Sequence, residues 1–314
     1  MKIYFTLLLL AWNSLGAQFA PAAGKPGSTA IHADSSCFVN WAKSCSVNVG
    51  YKQINQPDSG FATVGNSTSA IGPAKTNGVV SLGDGGCAIL QFDPPIVDGD
   101  GYDFAVFENA FNDSFLELAH VELSNDLINW VRIPSISLTQ NSTQTETFGT
   151  TEPQNIHNLA GKYRMPYGTP FDIHDVIDSI HYNYSFQYVR ICDVVGSINP
   201  LLGTKDSKGN LINDPWPTLF PSSGFDLDAV GVINQGISTN IIPIQKSKFS
   251  YNPISRQLHL IEYIGNNPIS LYTASGKLVF SGVPQNSEIQ IPTNIADGMY
   301  ILVGNNLSGK ILID

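Results

Sequence analysis

The stretch DGDGYDFAVFENAF, from Asp98 to Phe111, decides the fold class. Successive side chains of a β-strand point to opposite faces, so the apolar run from Phe104 to Phe107 predicts a strand that is buried on both faces. Asp103 and Glu108 stand at the two ends of that run. These acids are candidates for catalysis, for binding a cation, or for the solvated ends of an ordinary strand.

Short apolar runs of the same kind recur from about Ala30 to Gln235, separated by residues that favour turns. Gly (28) and Pro (19) are abundant, and no long segment has a convincing helical period. The chain is therefore predicted to be all-β, with antiparallel strands in a sandwich or barrel. Two long irregular stretches, Ser135–Asp178 and Gly196–Gly224, lie between the strands, and loops of this length usually have a function or are held in place.

The first residues, MKIYFTLLLLAWNSLGAQ, have the pattern of a secretory signal peptide. Lys2 supplies the basic start, an apolar run extends from Ile3 to Trp12, and Gly16 and Ala17 supply the small residues of a cleavage site. The apolar run is too short to span a bilayer stably, and no later segment is predicted to cross a membrane. We expect removal of residues 1–17 and passage through the periplasm to the outer surface or the medium.

Export permits disulfide bonds, and the chain has four cysteines. Cys37 and Cys45 lie eight residues apart and are predicted to close a short loop. Cys87 and Cys192 each lie in an apolar run that reads as a strand, where a buried free thiol and a bridge are both consistent with the sequence. The cysteine and histidine spacings match no zinc site.

Acidic residues recur where apolar strands end, and burying a carboxylate without a partner is very costly. Lys and Arg total only 16 in the chain, so a hard cation is the economical partner. Ca²⁺ binds six to eight oxygens from carboxylates, amides and carbonyls. The predicted structural calcium site draws on Asp103, Glu108, Asn109, Asp226 and Asp228, with Asp193 and Glu117 behind them. The alternative is that several of these acids cap turns, pair with Arg or face water.

The two long loops carry the residues that we expect to contact a ligand. Trp216 lies between two prolines, which hold the backbone extended and stiff, so its ring could stack on a sugar at low entropic cost. Tyr163, Arg164 and Tyr167 lie on the other long loop. The alternative is that these side chains pin their loops onto the sandwich.

The last part of the chain carries three motifs in a fixed order: YNPIS, then ISLYTASGKLVFSG, then ADGMYILV with the final GKILID. In these motifs, residues 249–314 resemble the type IX secretion C-terminal sorting domain of Bacteroidetes, although YNP stands where the fuller opening would be Tyr-Pro-Asn-Pro. The resemblance implies a small immunoglobulin-like β-sandwich that addresses the protein to the type IX secretion machinery. Residues 18–236 are then the passenger, and residues 237–248 form a linker.

Two segments of the passenger resemble the galactose-binding-like jelly roll. HVELSNDLINWVRI, from His120 to Ile133, is similar to its strand–turn–strand unit, with Leu127 where the family usually has Gly. FQYVRICDVVG, from Phe186 to Gly196, is similar to a later strand. The resemblance implies a jelly-roll sandwich, often with a structural Ca²⁺. Almost the whole passenger also looks like an uncharacterised family of secreted Bacteroidetes surface proteins.

These observations favour a secreted or surface protein that binds a ligand, most simply a carbohydrate. The formal net charge of −10 argues against nucleic acid, because phosphates call for a concentrated basic surface. No HExxH or GxSxG motif is present, and no motif selects a pair of carboxylates, so we expect binding and no catalysis. The alternatives are a polysaccharide hydrolase or lyase on the jelly roll, capture of another nutrient such as a corrinoid, and a structural or adhesive surface protein.

Overall fold

A computed structural model describes residues 19–176, 185–236, 249–261, 267–273, 276–304 and 307–313. The predicted signal peptide and the predicted linker lie outside the described residues. The chain divides into two compact units, Met1–Ser238 and Thr239–Asp314. Among the described residues, no helix is both long and apolar enough to cross a membrane.

The described residues of the first unit form thirteen strands and three short 3₁₀ helices. The strands are β1 (Ile31–His32), β2 (Asn40–Trp41), β3 (Ser44–Asn48), β4 (Val80–Ser81), β5 (Cys87–Val97), β6 (Phe104–Glu108), β7 (Ala119–Ser124), β8 (Val131–Arg132), β9 (Ile136–Ser137), β10 (Ile156–His157), β11 (Tyr167–Phe171), β12 (Ser185–Asp193) and β13 (Asp226–Val232). The 3₁₀ helices are η1 (Pro57–Ser59), η2 (Ser67–Ala70) and η3 (Pro153–Asn155).

Two antiparallel sheets make up the body of this unit. One runs β1–β11–β6–β13–β2 with β4 also paired to β13, and the other runs β3–β5–β12–β7–β8. Strands β9 and β10 pair separately. Side chains from both sheets meet in one hydrophobic cluster, to which β5 contributes Leu90 and β13 contributes Val230. Each such buried side chain stabilises the fold by about 1.5–3 kcal/mol. The predicted all-β sandwich is therefore confirmed.

Strand β6 is buried on both faces, as its sequence predicts. Phe104 and Val106 belong to the core between the sheets. Ala105 and Phe107 point to the other side, where the rings of Phe38 and Trp41 cover them. Only the two ends of this strand are left for polar chemistry, which is where Asp103 and Glu108 lie.

The prediction of a bridge between Cys37 and Cys45 is wrong. Both thiols are free and partly exposed, and the hydroxyl of Ser35 donates a hydrogen bond to the Cys37 sulfur over 3.2 Å. The disulfide joins Cys87 to Cys192, because these residues face each other where β5 pairs with β12. Proximity in sequence favoured the wrong pair, and strand register selected the right one. Disulfides persist in oxidising compartments, which agrees with export.

In the second unit, the part of the chain that the structure describes forms seven strands in two sheets. The strands are β14 (Phe249–Asn252), β15 (Gln257–Leu260), β16 (Ile269–Thr273), β17 (Leu278–Gly282), β18 (Glu288–Gln290), β19 (Gly298–Gly304) and β20 (Leu307–Ile313). The sheet orders are β14–β15–β18 and β17–β16–β19–β20. Leu258 from one sheet and Leu271 and Leu302 from the other share a separate core. The ISLYT and GMYILV motifs lie within paired strands β16 and β19.

Candidate functional site

A cleft of about 360 Å³ opens at the end of β6 and β13 in the first unit. Its lining combines aromatic, acidic, amide and hydroxyl side chains. The lining residues are Asn109, Phe111, Asn112, Phe115, Glu117, Thr147, Phe148, Thr150, Thr218, Phe220, Ser222 and Asp226. A volume of this size lies within the range of small-molecule sites.

Strand register brings the polar floor of the cleft together. Leu227 pairs with Glu108, so Asp226 at the start of β13 lies beside the end of β6, where Asn109 follows. Ser81 on β4 pairs with Asp226 from the other side, and its hydroxyl donates a hydrogen bond to the Asp226 carboxylate. The floor is therefore held by three strands and is not free to rearrange as a loop would be.

The two long loops form the aromatic wall of the cleft. Phe148 comes from one loop and Phe220 from the other, and their ring centroids are 5.8 Å apart. Phe115 extends this row, with its centroid 6.3 Å from that of Phe148. The side chain of Phe148 is 76% exposed and that of Phe111 is 80% exposed. Large apolar side chains so open to solvent beside a cleft are typical of binding surfaces.

Hydrogen bonds tie the two loops to each other. The Thr147 hydroxyl donates to the carbonyl of Pro217 over 2.7 Å, and the backbone N–H of Trp216 donates to the carbonyl of Thr145 over 3.0 Å. These bonds fix the spacing between Phe148 and Phe220, which lie close to them in sequence. The aromatic wall is thereby positioned before any ligand arrives.

Three carboxyl groups at the cleft have raised pKa values. Burial raises the pKa of Asp226 from 3.8 to about 6, against hydrogen bonds from Ser81 and Asn109 that lower it. Burial, together with the charges of Glu108 and Asp226, raises the pKa of Glu117 well above its usual range. Burial and the charge of Asp226 also raise the pKa of Glu108, although the backbone N–H of Ala110 donates to its carboxylate. Glu117 and Asp226 line the cleft itself, and Glu108 lies behind them.

A second group of acids lies deeper, on the same side of the unit. Asp193 ends β12 and accepts hydrogen bonds from the backbone N–H groups of Phe225 and Gly85, over 2.8 and 3.1 Å. Asp214 accepts from the N–H of Leu118 over 2.9 Å. Burial and the charge of Asp84 raise the pKa of both carboxyl groups well above their usual range.

Gly224 allows the chain to pass close to Asp193. Its φ is +69°, and a Cβ at this position would lie 2.7 Å from an Asp193 carboxylate oxygen. Any other residue would be strained by its backbone conformation and would press on the carboxylate. The glycine therefore permits the hydrogen bond from Phe225 to Asp193.

The structure separates the predicted calcium ligands into two groups. Asp103 and Glu108 stand at opposite ends of β6, which puts them about 16 Å apart along the strand. Asp226 and Asp228 lie close enough to Glu108 to raise its pKa, and Glu117 senses the charges of Glu108 and Asp226. Because Asp103 lies at the far end of the strand, the prediction that Asp103 and Glu108 share one ion is wrong.

The two aspartates of β13 also differ from expectation. The sequence predicts that Asp226 and Asp228 share a face with Val230, but a β-bulge interrupts the pairing between Leu227 and Ala229. Leu227 and Val230 both point into the inner core, which regular alternation would forbid. Asp226 therefore lines the cleft, whereas both carboxylate oxygens of Asp228 accept from the backbone N–H of Lys75, over 3.1 and 3.0 Å.

Within the described residues, one group of three acids has ligand oxygens within 4.8 Å of one another: Asp98, Asp103 and Asp172. This group could hold a metal ion. The Asp103 carboxylate also accepts hydrogen bonds from the N–H groups of Gly99 and Ile173, over 2.8 and 2.7 Å. Burial raises the pKa of Asp103, and these hydrogen bonds lower it in part. The neighbouring charge of Asp172 adds a smaller increase. The sequence selected Asp103 as a calcium ligand and did not select Asp172, while the DGDG stretch that contains Asp98 imitates a calcium loop but was interpreted as a hairpin turn.

The four predicted ligand-binding residues do not line the cleft. Tyr163 is fully buried and its hydroxyl bonds to that of Thr29 over 2.8 Å. Arg164 pairs with Asp113, 2.8 Å between nitrogen and oxygen, and stands over the Tyr167 ring.

Trp216 also does not line the cleft. Its indole N–H donates to Asp84 over 3.0 Å, so this residue fastens its loop, as the alternative interpretation held. The same loop nevertheless supplies Thr218, Phe220 and Ser222 to the cleft. The loop that the sequence singled out therefore lines the cleft, but through side chains other than Trp216.

Sequence reasoning missed all four phenylalanines of the cleft. Each stands among polar residues in the segments NAFNDSF, ETFGT and TLFPSS. An isolated large apolar residue in a polar loop is a usable signal, because such a residue either packs beneath the loop or is presented to a ligand. It does not show that three distant segments meet.

Searches against protein-family models and against curated proteins find no match for this chain. The interpretation of the cleft therefore depends on its own geometry and charge.

Proposed function

We propose that the first unit binds a carbohydrate in the cleft between Phe148, Phe220, Glu117 and Asp226. The observation that carries the proposal is an exposed row of aromatic rings above a floor of carboxylate, amide and hydroxyl groups. Sugar rings present an apolar face of C–H groups and an edge of hydroxyls. The first suits stacking on Phe, and the second suits hydrogen bonds to Asn109, Asp226 and the loop hydroxyls.

A glycan array, followed by calorimetry on the strongest glycan, tests this proposal. We expect Phe148→Ala and Phe220→Ala to weaken binding at least about tenfold each, or about 1.4 kcal/mol. Phe61→Ala is the matched control, because Phe61 is 53% exposed and stacks on Tyr51 outside the cleft. Unchanged affinity in both cleft variants, or an equal loss in the control, would refute the assignment.

A second candidate function is cleavage of the bound glycan. Glycosidases use one carboxylic acid to protonate the leaving oxygen and a second carboxylate beside it. Glu117 and Asp226 line one cleft. Glu117, whose pKa is raised well above its usual range, would be the acid, and Asp226, with a pKa of about 6, would be the carboxylate. The assay is the appearance of new reducing ends or unsaturated products from any glycan that binds. Intact glycan after prolonged incubation with the wild-type chain would leave binding alone.

We propose that Ca²⁺ stabilises the first unit at Asp98, Asp103 and Asp172. Three carboxylates with no ion pair to Lys or Arg in the described residues suit a hard cation, and backbone carbonyls and water would complete its oxygen shell. We expect EGTA to lower the melting temperature and Ca²⁺ to restore it. Asp98→Asn together with Asp172→Asn should remove this response, whereas Asp100→Asn, an exposed neighbour, should keep it. Melting that is indifferent to Ca²⁺ in the wild-type chain would refute the site.

We also propose that the second unit directs the protein to the type IX secretion machinery, as its motifs suggest. Deleting residues 249–314 in a host that has this machinery should leave the first unit in the periplasm. The Cys87–Cys192 disulfide supports an oxidising destination. Release of the truncated chain to the medium at wild-type level would contradict the proposal.

A further inference from the structure

The cleft is lined by acidic side chains that no described basic side chain pairs with. No Lys or Arg is among the described residues that line it. Glu117 lies within reach of the charges of Glu108, Asp226, Asp214 and Asp193. In the described part of the chain none of these five carboxylates forms an ion pair with Lys or Arg. Burying unbalanced carboxylates is costly, so a molecule that supplies positive charge would gain much of its binding energy here.

The shape of the acidic region argues against a metal ion as that molecule. Ca²⁺ lies 2.3–2.6 Å from each of its ligands, so ligand oxygens on one ion are within about 5 Å of each other. Among the described residues, three acids meet that condition at Asp98, Asp103 and Asp172 and not at the cleft. No three of the described cleft acids are so close, and an ammonium group, whose several N–H donors point in different directions, does not require them to be.

The aromatic wall points to the same class of ligand. Cations are attracted to the faces of aromatic rings, and Phe111, Phe115, Phe148 and Phe220 surround the cleft. Neutral sugars would use the rings but would leave the carboxylates unbalanced.

We propose that the glycan recognised by this cleft carries free amino groups, as in chains of glucosamine, with the protonated amine beside Glu117 and Asp226. This inference rests on the proposed function and names its ligand class. The sugar ring stacks on Phe148 and Phe220, and the ammonium supplies the charge that the protein lacks. An N-acetylated chain keeps the ring but loses the charge, and an anionic chain is repelled.

Calorimetry with three tetrasaccharides tests the inference on the full chain. The glucosamine tetramer, the N-acetylglucosamine tetramer and a neutral glucose tetramer are compared at about pH 6, where amines are protonated. We expect the glucosamine tetramer to bind at least about tenfold more tightly than either of the others, with an affinity that falls as salt is added. Equal affinities would overturn the inference while leaving the proposed glycan binding intact. No binding to any glycan would refute both.

Variants then separate charge recognition from packing. Glu117→Gln and Asp226→Asn should each weaken binding of the glucosamine tetramer about tenfold and should weaken binding of the N-acetylated tetramer much less. Phe148→Ala should weaken both. Glu146→Gln is the control, because Glu146 is an exposed acid of the same loop that does not line the cleft. Equal losses for charged and acetylated tetramers in the acid variants would show a structural role and overturn the assignment.

Proton release on binding distinguishes charge recognition by Glu117 and Asp226 from a purely structural role of these residues. A bound ammonium favours the ionised forms of Glu117 and Asp226, so binding should release protons to the buffer. The measured heat should therefore differ between buffers with different ionisation enthalpies, and Asp226→Asn should reduce the difference. A heat that is independent of the buffer would contradict the placement of the amine. A simple diamine that binds as tightly as the tetramer would refute the role of the sugar ring.

Discussion

Replacing Asp226 with Asn should remove a large pH-dependent cost from the folded state. The carboxyl group is 7% exposed, and burial raises its pKa from 3.8 to about 6. Each pKa unit corresponds to about 1.4 kcal/mol, so ionising this group in the fold costs about 3 kcal/mol more than in the unfolded chain. Asn has nearly the same shape and can still accept the hydrogen bond from Ser81.

The sign of the effect follows from proton binding. Because the folded pKa lies above the unfolded value, the folded state holds more protons between about pH 4 and pH 6, and its stability falls as the pH rises through that window. At about pH 4 the wild-type chain and Asp226→Asn should have similar free energies of unfolding. At about pH 8 the variant should be more stable by up to about 3 kcal/mol. The free-energy cost of burying the Asn amide would reduce this gain.

Urea unfolding followed by tryptophan fluorescence is the assay. All four Trp residues of the chain precede residue 239, so the signal reports on the first unit. Asp100→Asn is the control, since Asp100 is exposed, and its curve should run parallel to that of the wild-type chain. Parallel curves for Asp226→Asn as well, from pH 4 to pH 8, would show that the carboxyl group is not desolvated and would remove the basis of the charge argument.

Three further predictions concern the framework of the first unit. Leu127 has a φ of +63°, so Leu127→Gly should relieve backbone strain and raise the free energy of unfolding by about 0.5–1 kcal/mol. Leu138→Gly is the control and should lower the free energy of unfolding. If both variants are destabilised, the backbone of Leu127 is not strained. Changing Cys87 and Cys192 together to Ala should lower the free energy of unfolding by about 2–4 kcal/mol, and reduction of the wild-type chain should have no smaller effect. Trp216→Phe removes the N–H that Asp84 accepts, so it should cost about 1–3 kcal/mol in urea unfolding and raise the pKa of Asp84 further; an unchanged midpoint would show that the bond does not hold the loop.

Much of the framework was predictable because it depends on local pattern. The two-faced burial of β6 followed from four consecutive apolar residues, and the all-β class followed from short runs broken by Gly and Pro. The long loops were singled out by their length, and both of them line the cleft. The desolvated acids were also found early, since Glu108, Glu117 and Asp226 each adjoin an apolar run.

Pairing of distant segments was not predictable in the same way. Nothing near Cys87 in sequence indicates Cys192, because their contact depends on the register of β5 against β12. The bulge at Asp228 reverses the faces to which the preceding residues of β13 point. Regular alternation places Asp226 on the same face as Val230, and the bulge makes that prediction wrong. Asp103 and Glu108 looked like one site by composition and are separated by the length of a strand.

The sequence by itself determined the class of fold, the positions of buried strands and several of the acids that lose their water, because these depend on residue type and spacing along one segment. Only the tertiary structure decided which acids share a cleft, which aromatic rings face them and which cysteines pair. Those outcomes depend on strand order, register and a single bulge, which are set by packing between segments that are distant in sequence, such as Cys87 and Cys192 with their separation of 105.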